Sequence, residues 1–297
     1  MSLVATLISA RTHAHLDQAL LTRVLAVLGL GETAVDWLEP GFAADINVGN
    51  RPAAEVDQLL RAAIHPAPVD VVVQPRADRR KSILVADMDS TMIGQECIDE
   101  LAAEVGLKQH VAAITDRAMH GEIAFEPALR ERVGLLKGVP VAVIDKIIAD
   151  RIHLTPGGRT LIGTMRANGG YAALVSGGFT LFTNRIGAMI GFNEMNANTL
   201  LVEGDRLAGR VAEPILGKDA KRERLLALSR ERGVPMSATM AVGDGANDLD
   251  MIRIAGLGVA FRAKPAVAAE AAARIDHGDL TALLFVQGYR ASDFVKD

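Results

Sequence analysis

Hydrophobic positions along this chain change rhythm from one half to the other. Near the N-terminus, VATLISA (residues 4–10) has the apolar, β-branched content of a strand, and Leu16, Leu20, Val24 and Leu28 then recur at helical spacing on one face. Gly29 or Gly31 ends that helix. An extended piece from about Trp37 to Val48 follows, then an amphipathic helix carrying Val56, Leu59, Leu60 and Ile64, then the β-branched run VDVVVQP (69–75). With the middle piece folded as a hairpin, the order is βαββαβ. The charged, apolar-poor stretch RADRRKS (76–82) reads as a linker. It predicts a small α+β domain over 1–76 and a second domain over 77–297.

From residue 82 onward, apolar runs alternate with helical segments, the pattern of an α/β fold with a Rossmann-like parallel sheet. The predicted strands are SILVAD (82–87), YAALVS (171–176), ATMAVGD (238–244) and GLGVAF (256–261). Three of the four end in polar residues: Asp87, Ser176 and Asp244. Ligands of open α/β sheets bind beyond the carboxyl ends of the strands, so these distant residues are expected to converge. Between the first two strands lies an insert from Gln95 to about Leu154, rich in helix formers and far longer than an ordinary βα connection. It is expected to fold as a helical cap.

Composition narrows the classes. The chain has 297 residues, 49% of them apolar, and a net charge of −4 without a basic block or acidic tail, which argues for a folded globular protein and against nucleic acid as the main partner. A single cysteine, Cys97, excludes an internal disulfide framework and a thiolate metal cluster. No stretch approaches the roughly 18 apolar residues of a membrane span, and MSLVATLISARTHAHLD lacks a basic region ahead of its apolar run. The expectation is a soluble cytoplasmic protein without a membrane partner. The seven histidines are scattered and point to neither a histidine metal site nor a Ser-His hydrolase.

Three motifs carry candidate chemistry. In DMDST (87–91), an extended backbone points Asp87 and Asp89 to one side and Met88 to the other. Two carboxylates held this close call for a nearby cation or a retained proton, and both conditions suit a nucleophile beside a general acid/base. The same residues would also serve to cap a following helix. In VSGGF (175–179), a hydroxyl followed by two glycines lets the backbone approach an anion, with Ser176 and the Gly177 N–H as donors, although a tight turn uses the same residues. In VGDGANDLDM (242–251), Asp244 is a candidate oxygen ligand for Mg²⁺, with Asn247 and Asp248 organising waters or a basic partner; here helix capping is the alternative. Gly243 and Gly245 are expected to adopt backbone geometries closed to larger residues. Lys221, in GKDAKRERL, is a basic residue able to reach a phosphate, or a plain surface lysine.

In order and approximate spacing, DMDST, VSGG, Lys221 and GDGAND resemble the haloacid dehalogenase superfamily of aspartate-nucleophile phosphatases. Over about 83–285 the resemblance extends to the branch that hydrolyses O-phosphoserine, and it includes the insert as GQECIDELAAEVG, ITDRAMHGEIAFEPALRERVGLLKGVP and LTPGGRTLI. The resemblance implies that Asp87 is phosphorylated and that Asp89 is the acid/base. It implies Mg²⁺ held by the carboxylates of Asp87 and Asp244 and the main-chain carbonyl of Asp89. Phosphate contacts fall on Ser176, Gly177 and Lys221, with Asn247 and Asp248 supporting the metal and the lysine.

Substrate choice then belongs to the cap. A zwitterionic amino acid needs an anion for its ammonium and a cation for its carboxylate, and Glu96 and Arg132 match the family's contacts of that kind, with Met119 and Phe125 as the apolar cover. Without the resemblance, Glu96 and Arg132 would be ordinary helix charges. The N-terminal βαββαβ order looks like the ACT-type modules attached to some of these phosphatases; a regulatory, structural or dimerisation role leaves a homodimer open. Residues 1–76 are expected to be dispensable for the chemistry. Other readings are a capped phosphatase or phosphotransferase for another small phosphomonoester, and an amino-acid-sensing module with an idle phosphatase domain.

Overall fold

The computed structural model of the protein describes residues 2–12, 14–119 and 122–296, with only the backbone of Asp116, Ala118 and Met119 included. In the N-terminal part, β1 (Leu3–Ser9), α1 (Gln18–Leu28), β2 (Val35–Glu39), β3 (Ala43–Gly49), α2 (Ala53–Ile64) and β4 (Val69–Pro75) follow the βαββαβ order. The strands form an antiparallel sheet in the order β2-β3-β1-β4. Helix α1 starts where the Asp17 side chain accepts from Leu20 N (2.8 Å) and ends at Gly29, whose φ of 60° is left-handed.

The period of two along β4 explains what this sheet does with both faces. Val69, Val71 and Val73 pack with α1 and α2, while Val72 joins the core of the larger domain. Asp70 and Gln74 point the same way as Val72. Asp70 accepts from the backbone N–H groups of Asp276 (2.8 Å), His277 (3.2 Å) and Gly278 (2.7 Å), and Gln74 Nε2 donates to Val286 O (2.6 Å). An alternating polar residue in a strand normally faces water; here it faces another domain.

The second domain is built on a six-stranded parallel sheet. Its elements run β5 (Ile83–Ala86), α3 (Cys97–Glu104), α4 (Lys108–Met119), α5 (Phe125–Leu135), α6 (Ala142–Asp150), α7 (Gly158–Ala167), β6 (Tyr171–Phe179), α8 (Thr180–Ile190) and β7 (Glu194–Asn198). There follow β8 (Leu200–Glu203), β9 (Arg206–Val211), α9 (Ala220–Glu231), β10 (Thr239–Gly243), α10 (Leu249–Ile254), β11 (Leu257–Phe261), α11 (Pro265–Ala268), β12 (Ala273–Ile275) and α12 (Ala282–Val286). The strand order is β12-β11-β10-β5-β6-β7. All four strands expected from the sequence are present. The edge strands β7 and β12 were not expected, because EMNAN is polar and ARI is three residues long.

The first strand of this sheet in sequence, β5, lies between β6 and β10: the chain runs from β5 outward to β6 and β7, then crosses to β10 and runs outward the other way to β11 and β12. This is the switch point of the sheet, where loops diverge and leave a crevice. The insert forms helices α3 to α6. Its two ends meet as an Ile93–Leu154 bridge, with Gly94 N to His153 O (3.0 Å) and Thr155 N to Met92 O (3.0 Å). The β8–β9 hairpin, absent from the sequence reading, is tied to the insert by Gly138 N to Leu207 O and Val141 N to Asp205 O, both 2.8 Å.

Helix α12 is buried along its whole length. Ile8, Leu38, Ala43 and Val72 of the N-terminal sheet share one apolar core with Leu283, Phe285 and Tyr289. The N-terminal domain therefore covers apolar surface of the larger one. The segment between β4 and β5 is pinned as well: Arg79 pairs with Asp45 (2.5 Å), and Lys81 N donates to Gln287 Oε1 (3.0 Å). No helix among the described residues is long and apolar enough to cross a membrane.

Candidate active site

Asp87 is the first residue past β5. It remains extended (φ −71°, ψ 158°), as does Asp89 (φ −66°, ψ 137°), and Met88 between them is fully buried. Both carboxylates therefore face one cavity. Ser90 then turns the chain with a left-handed φ of 57°, a conformation costing a non-glycine residue roughly 1 kcal/mol or more. The turn is held by Ser90 N to Gln95 O (3.3 Å) and by Ser90 Oγ donating to Glu96 Oε1 (2.8 Å). The capping alternative is also realised in part: Asp89 Oδ1 accepts the Cys97 N–H at the start of α3 (2.8 Å).

The ends of β5, β6 and β10 floor a cavity of about 290 Å³, and the insert supplies its roof. Asp87, Asp89, Ser176, Gly177, Asp244 and Asn247 line it from the sheet side; Glu96, Phe125 and Arg132 line it from the cap. Ser176 Oγ accepts from Gly178 N (2.9 Å) and lies 3.3 Å from Asp89 Oδ2. A Cβ at Gly178 would sit 3.1 Å from both that oxygen and Ser176 Oγ, so a larger residue there would press on both site side chains.

Lys221 and Asp248 are buried beneath the cavity rather than exposed in it. Lys221 stands in the first turn of α9, where the helix dipole disfavours a cation. Its Nζ lies 2.6 Å from Asp87 Oδ1 and 2.5 Å from Asp248 Oδ1. Burial pulls its pKa down, but the two carboxylates outweigh this and hold the ammonium above its usual range. The other Asp248 oxygen accepts from Asp244 N (3.1 Å) and Gly245 N (3.0 Å). A Cβ at Gly243 would come within 2.3 Å of the Asp248 carboxyl carbon. Neither Gly243 nor Gly245 has a positive φ, so the expected backbone role is corrected: Gly243 makes room for Asp248, and a Cβ at Gly245 would sit 2.5 Å from Asn247 Oδ1.

The site is short of positive charge. Burial, then Asp248, push the Asp87 carboxyl well above the usual range against the pull of Lys221. Burial raises Asp244 too, followed by Asp248, and burial raises Asp89 against the Cys97 N–H. One carboxylate oxygen from each of Asp87, Asp244 and Asp248 lies within 4.8 Å of the others, an all-oxygen donor set that suits a hard cation. The Asp89 side chain is not part of this trio.

Burial raises the Glu96 carboxyl to about 7, with the neighbouring Asp89 charge adding to the effect. Met119 belongs to α4, but its side chain lies outside the described residues. Phe125 opens α5 and reaches over Gly177, its Cζ 3.7 Å from where a Cβ would stand. Four polar residues escaped the sequence reading. Thr91 Oγ1 donates to Asp244 Oδ1 (3.3 Å), and Asp99, Thr115 and Lys264 line the cavity. Asp99 was within reach of pattern reasoning, being one helical turn from Glu96; Thr115 and Lys264 arrive by tertiary packing alone.

The sheet order, the inserted helical cap and the aspartates at the strand ends define a capped, Rossmann-like α/β scaffold with an aspartate-based site. The profile of the haloacid dehalogenase-like hydrolases matches residues 84–253, and the chain belongs to that family. Among its relatives is the phosphoserine phosphatase of Archaeoglobus fulgidus, 43% identical over 221 residues that make up 74% of this chain; the chain spans 64% of that relative's length. Two solved structures match nearly the whole chain. A haloacid dehalogenase family hydrolase from Salmonella enterica superposes with a TM-score of 0.83 at 29% identity, over 96% of this chain and 98% of its own. A probable phosphoserine phosphatase from Vibrio cholerae gives 0.78 at 30% identity, over 98% of this chain and 88% of its own.

Proposed function

We propose that this protein is a Mg²⁺-dependent phosphatase that hydrolyses O-phosphoserine to serine and phosphate. The observation that carries the reading is a single cavity with two opposed chemistries. A carboxylate pair lies on its floor, and an acid and an arginine, Glu96 and Arg132, stand on its cap without an ion pair between them. With Lys221 and a bound cation offsetting the carboxylates, the floor would hold a phosphate, and the cap offers separate partners to an ammonium and a carboxylate.

Asp87 attacks phosphorus, forming an O–P bond as the ester P–O bond breaks, and the leaving oxygen takes its proton from Asp89. The raised pKa of Asp89 suits that donation. Asp89, now ionised, removes a proton from water, which attacks the aspartyl phosphate, releases phosphate and regenerates Asp87. Ser176, the Gly177 N–H and Lys221 hold the phosphate oxygens, with Lys221 kept in place by Asp248. The carboxylates of Asp87 and Asp244, with the main-chain carbonyl of Asp89, would hold Mg²⁺, which supplies charge neutralisation and Lewis acidity to the phosphoryl group. Residues 1–76 form an ACT-like module in this reading, and residues 77–297 the phosphatase with its cap at about 95–154.

The test is phosphate release from a panel of small phosphomonoesters, with Mg²⁺ and with excess chelator. O-Phosphoserine should give the highest kcat/KM, and chelation should abolish turnover until Mg²⁺ is restored. A preference for phosphomonoesters lacking either the ammonium or the carboxylate would replace O-phosphoserine with another substrate. Full activity in chelator would remove the metal from the mechanism.

A further inference from the structure

Arg132 is held in place by the protein itself. Its Nε donates to Ala128 O in its own helix, α5 (3.2 Å), and its Nη1 donates across to Thr115 Oγ1 on α4 (3.3 Å). Asp99 and Glu96 act on the guanidinium through space, and among the described residues it has no ion-pair partner. Nη2 makes no hydrogen bond among the described residues, and both Arg132 and Thr115 line the cavity.

The Thr115 hydroxyl has one proton, and it goes to Val111 O one turn earlier (3.0 Å). That bond fixes the hydroxyl rotor and leaves lone pairs for α5. A hydroxyl committed in this way accepts, and a guanidinium only donates, so the two groups match in one orientation. The β-branch of threonine further limits its rotamers within a helix. The side chain of an unheld arginine would have to lose its rotamer freedom on binding; this one is already gripped from two sides, at Nε and at Nη1.

We infer that Thr115 is a positioning residue for substrate recognition: it orients Arg132 so that the free edge of the guanidinium meets the substrate carboxylate. The role rests on reading Arg132 as the carboxylate receptor, as proposed above. Thr115 touches no reacting atom. Its effect belongs in KM and only for ligands that carry a carboxylate.

Thr115→Val keeps the shape and removes the acceptor, and Thr115→Ser keeps the hydroxyl. O-Phosphoserine and O-phosphoethanolamine differ by the carboxylate, so the readout is the ratio of their kcat/KM values. For slow turnover of the second compound, its Ki against aryl phosphate hydrolysis replaces that value. Thr115→Val should lower the ratio about 10-fold through KM, the factor expected for one hydrogen bond to a charged group. Thr115→Ser should stay within about 2-fold of the parent protein, and adding Thr115→Val to Arg132→Ala should change nothing further, because the two act as a unit. The role is overturned by a parent-like ratio in Thr115→Val, by an equal fall in Thr115→Ser, or by losses that multiply in the double variant. An unchanged ratio in Arg132→Ala alone overturns the carboxylate receptor, and this role with it.

Discussion

Lys221 offers the sharpest test of how the buried charges are balanced. Lys221→Met replaces the ammonium by an apolar chain of similar length and leaves Asp87 and Asp248, 5% and 0% exposed, facing each other without it. Removing one partner of a buried ion pair costs roughly 3–5 kcal/mol, because the charge left behind has lost its compensation. At about 2–4 °C per kcal/mol, the fall in Tm is roughly 6–20 °C. Urea unfolding followed by circular dichroism in chelator measures this without help from a cation. The pH dependence adds a sign. Asp87 already has a raised pKa, from burial and then from Asp248, and the variant raises it further. A carboxyl with a raised folded pKa contributes stability at low pH that is lost as pH rises through that pKa. The deficit of Lys221→Met should therefore be largest at alkaline pH and shrink on acidification. Adding Asp248→Asn, which puts an amide donor where an anion stood, should recover part of it. Turnover should fall about 10²–10³-fold, the scale for removing one preorganised electrostatic group. A loss below about 1 kcal/mol, or a deficit that grows as pH falls, would show that Lys221 does not compensate these carboxylates.

Other outcomes follow from the same geometry. Asp87→Asn should yield no acid-labile phosphoenzyme from labelled substrate, whereas Asp89→Asn should slow turnover with the nucleophile still present; normal covalent labelling of Asp87→Asn would exclude its role. Because burial pushes the Glu96 carboxyl up to about 7, KM for O-phosphoserine should rise as pH falls through that value, and Glu96→Gln should remove this inflection. The phosphate ionises near about 6 for both proteins, so the difference between their profiles isolates Glu96. Asp70→Ala removes the acceptor of three N–H groups at 276–278, of which that of Gly278 is buried, and should cost roughly 1–3 kcal/mol in urea unfolding; a neutral result would make the domain contact dispensable. A chain starting near Arg76 should bind a hydrophobic dye through the uncovered Leu283 and Phe285, and a monodisperse, dye-silent truncation would refute that.

Local rhythm was enough for the sequence to determine the elements that matter most. Apolar runs specified β5, β6, β10 and β11 because a parallel strand is buried on both faces and has no room for alternation. The aspartates and serine at their ends were legible because catalytic side chains sit where such strands stop. The apolar, β-branched content of β1 and β4 gave the strands of the N-terminal sheet. It could not say that Asp70 and Gln74 face a protein partner, since a strand's polar face reads the same against water as against a ring of backbone N–H groups. Nor could it find β7, β12 or the β8–β9 hairpin, which are held by neighbours rather than by their own hydrophobicity. In the site, the sequence supplied Asp87, Lys221 and Asp248 as separate residues, and only the fold brought them within ion-pair reach. Glu96 and Arg132 stood out only through the family resemblance and would otherwise be ordinary helix charges; packing places them in one cavity, and Thr115 gave no signal at all. Such roles depend on which helix faces touch, and that is decided by side chains far apart in the chain.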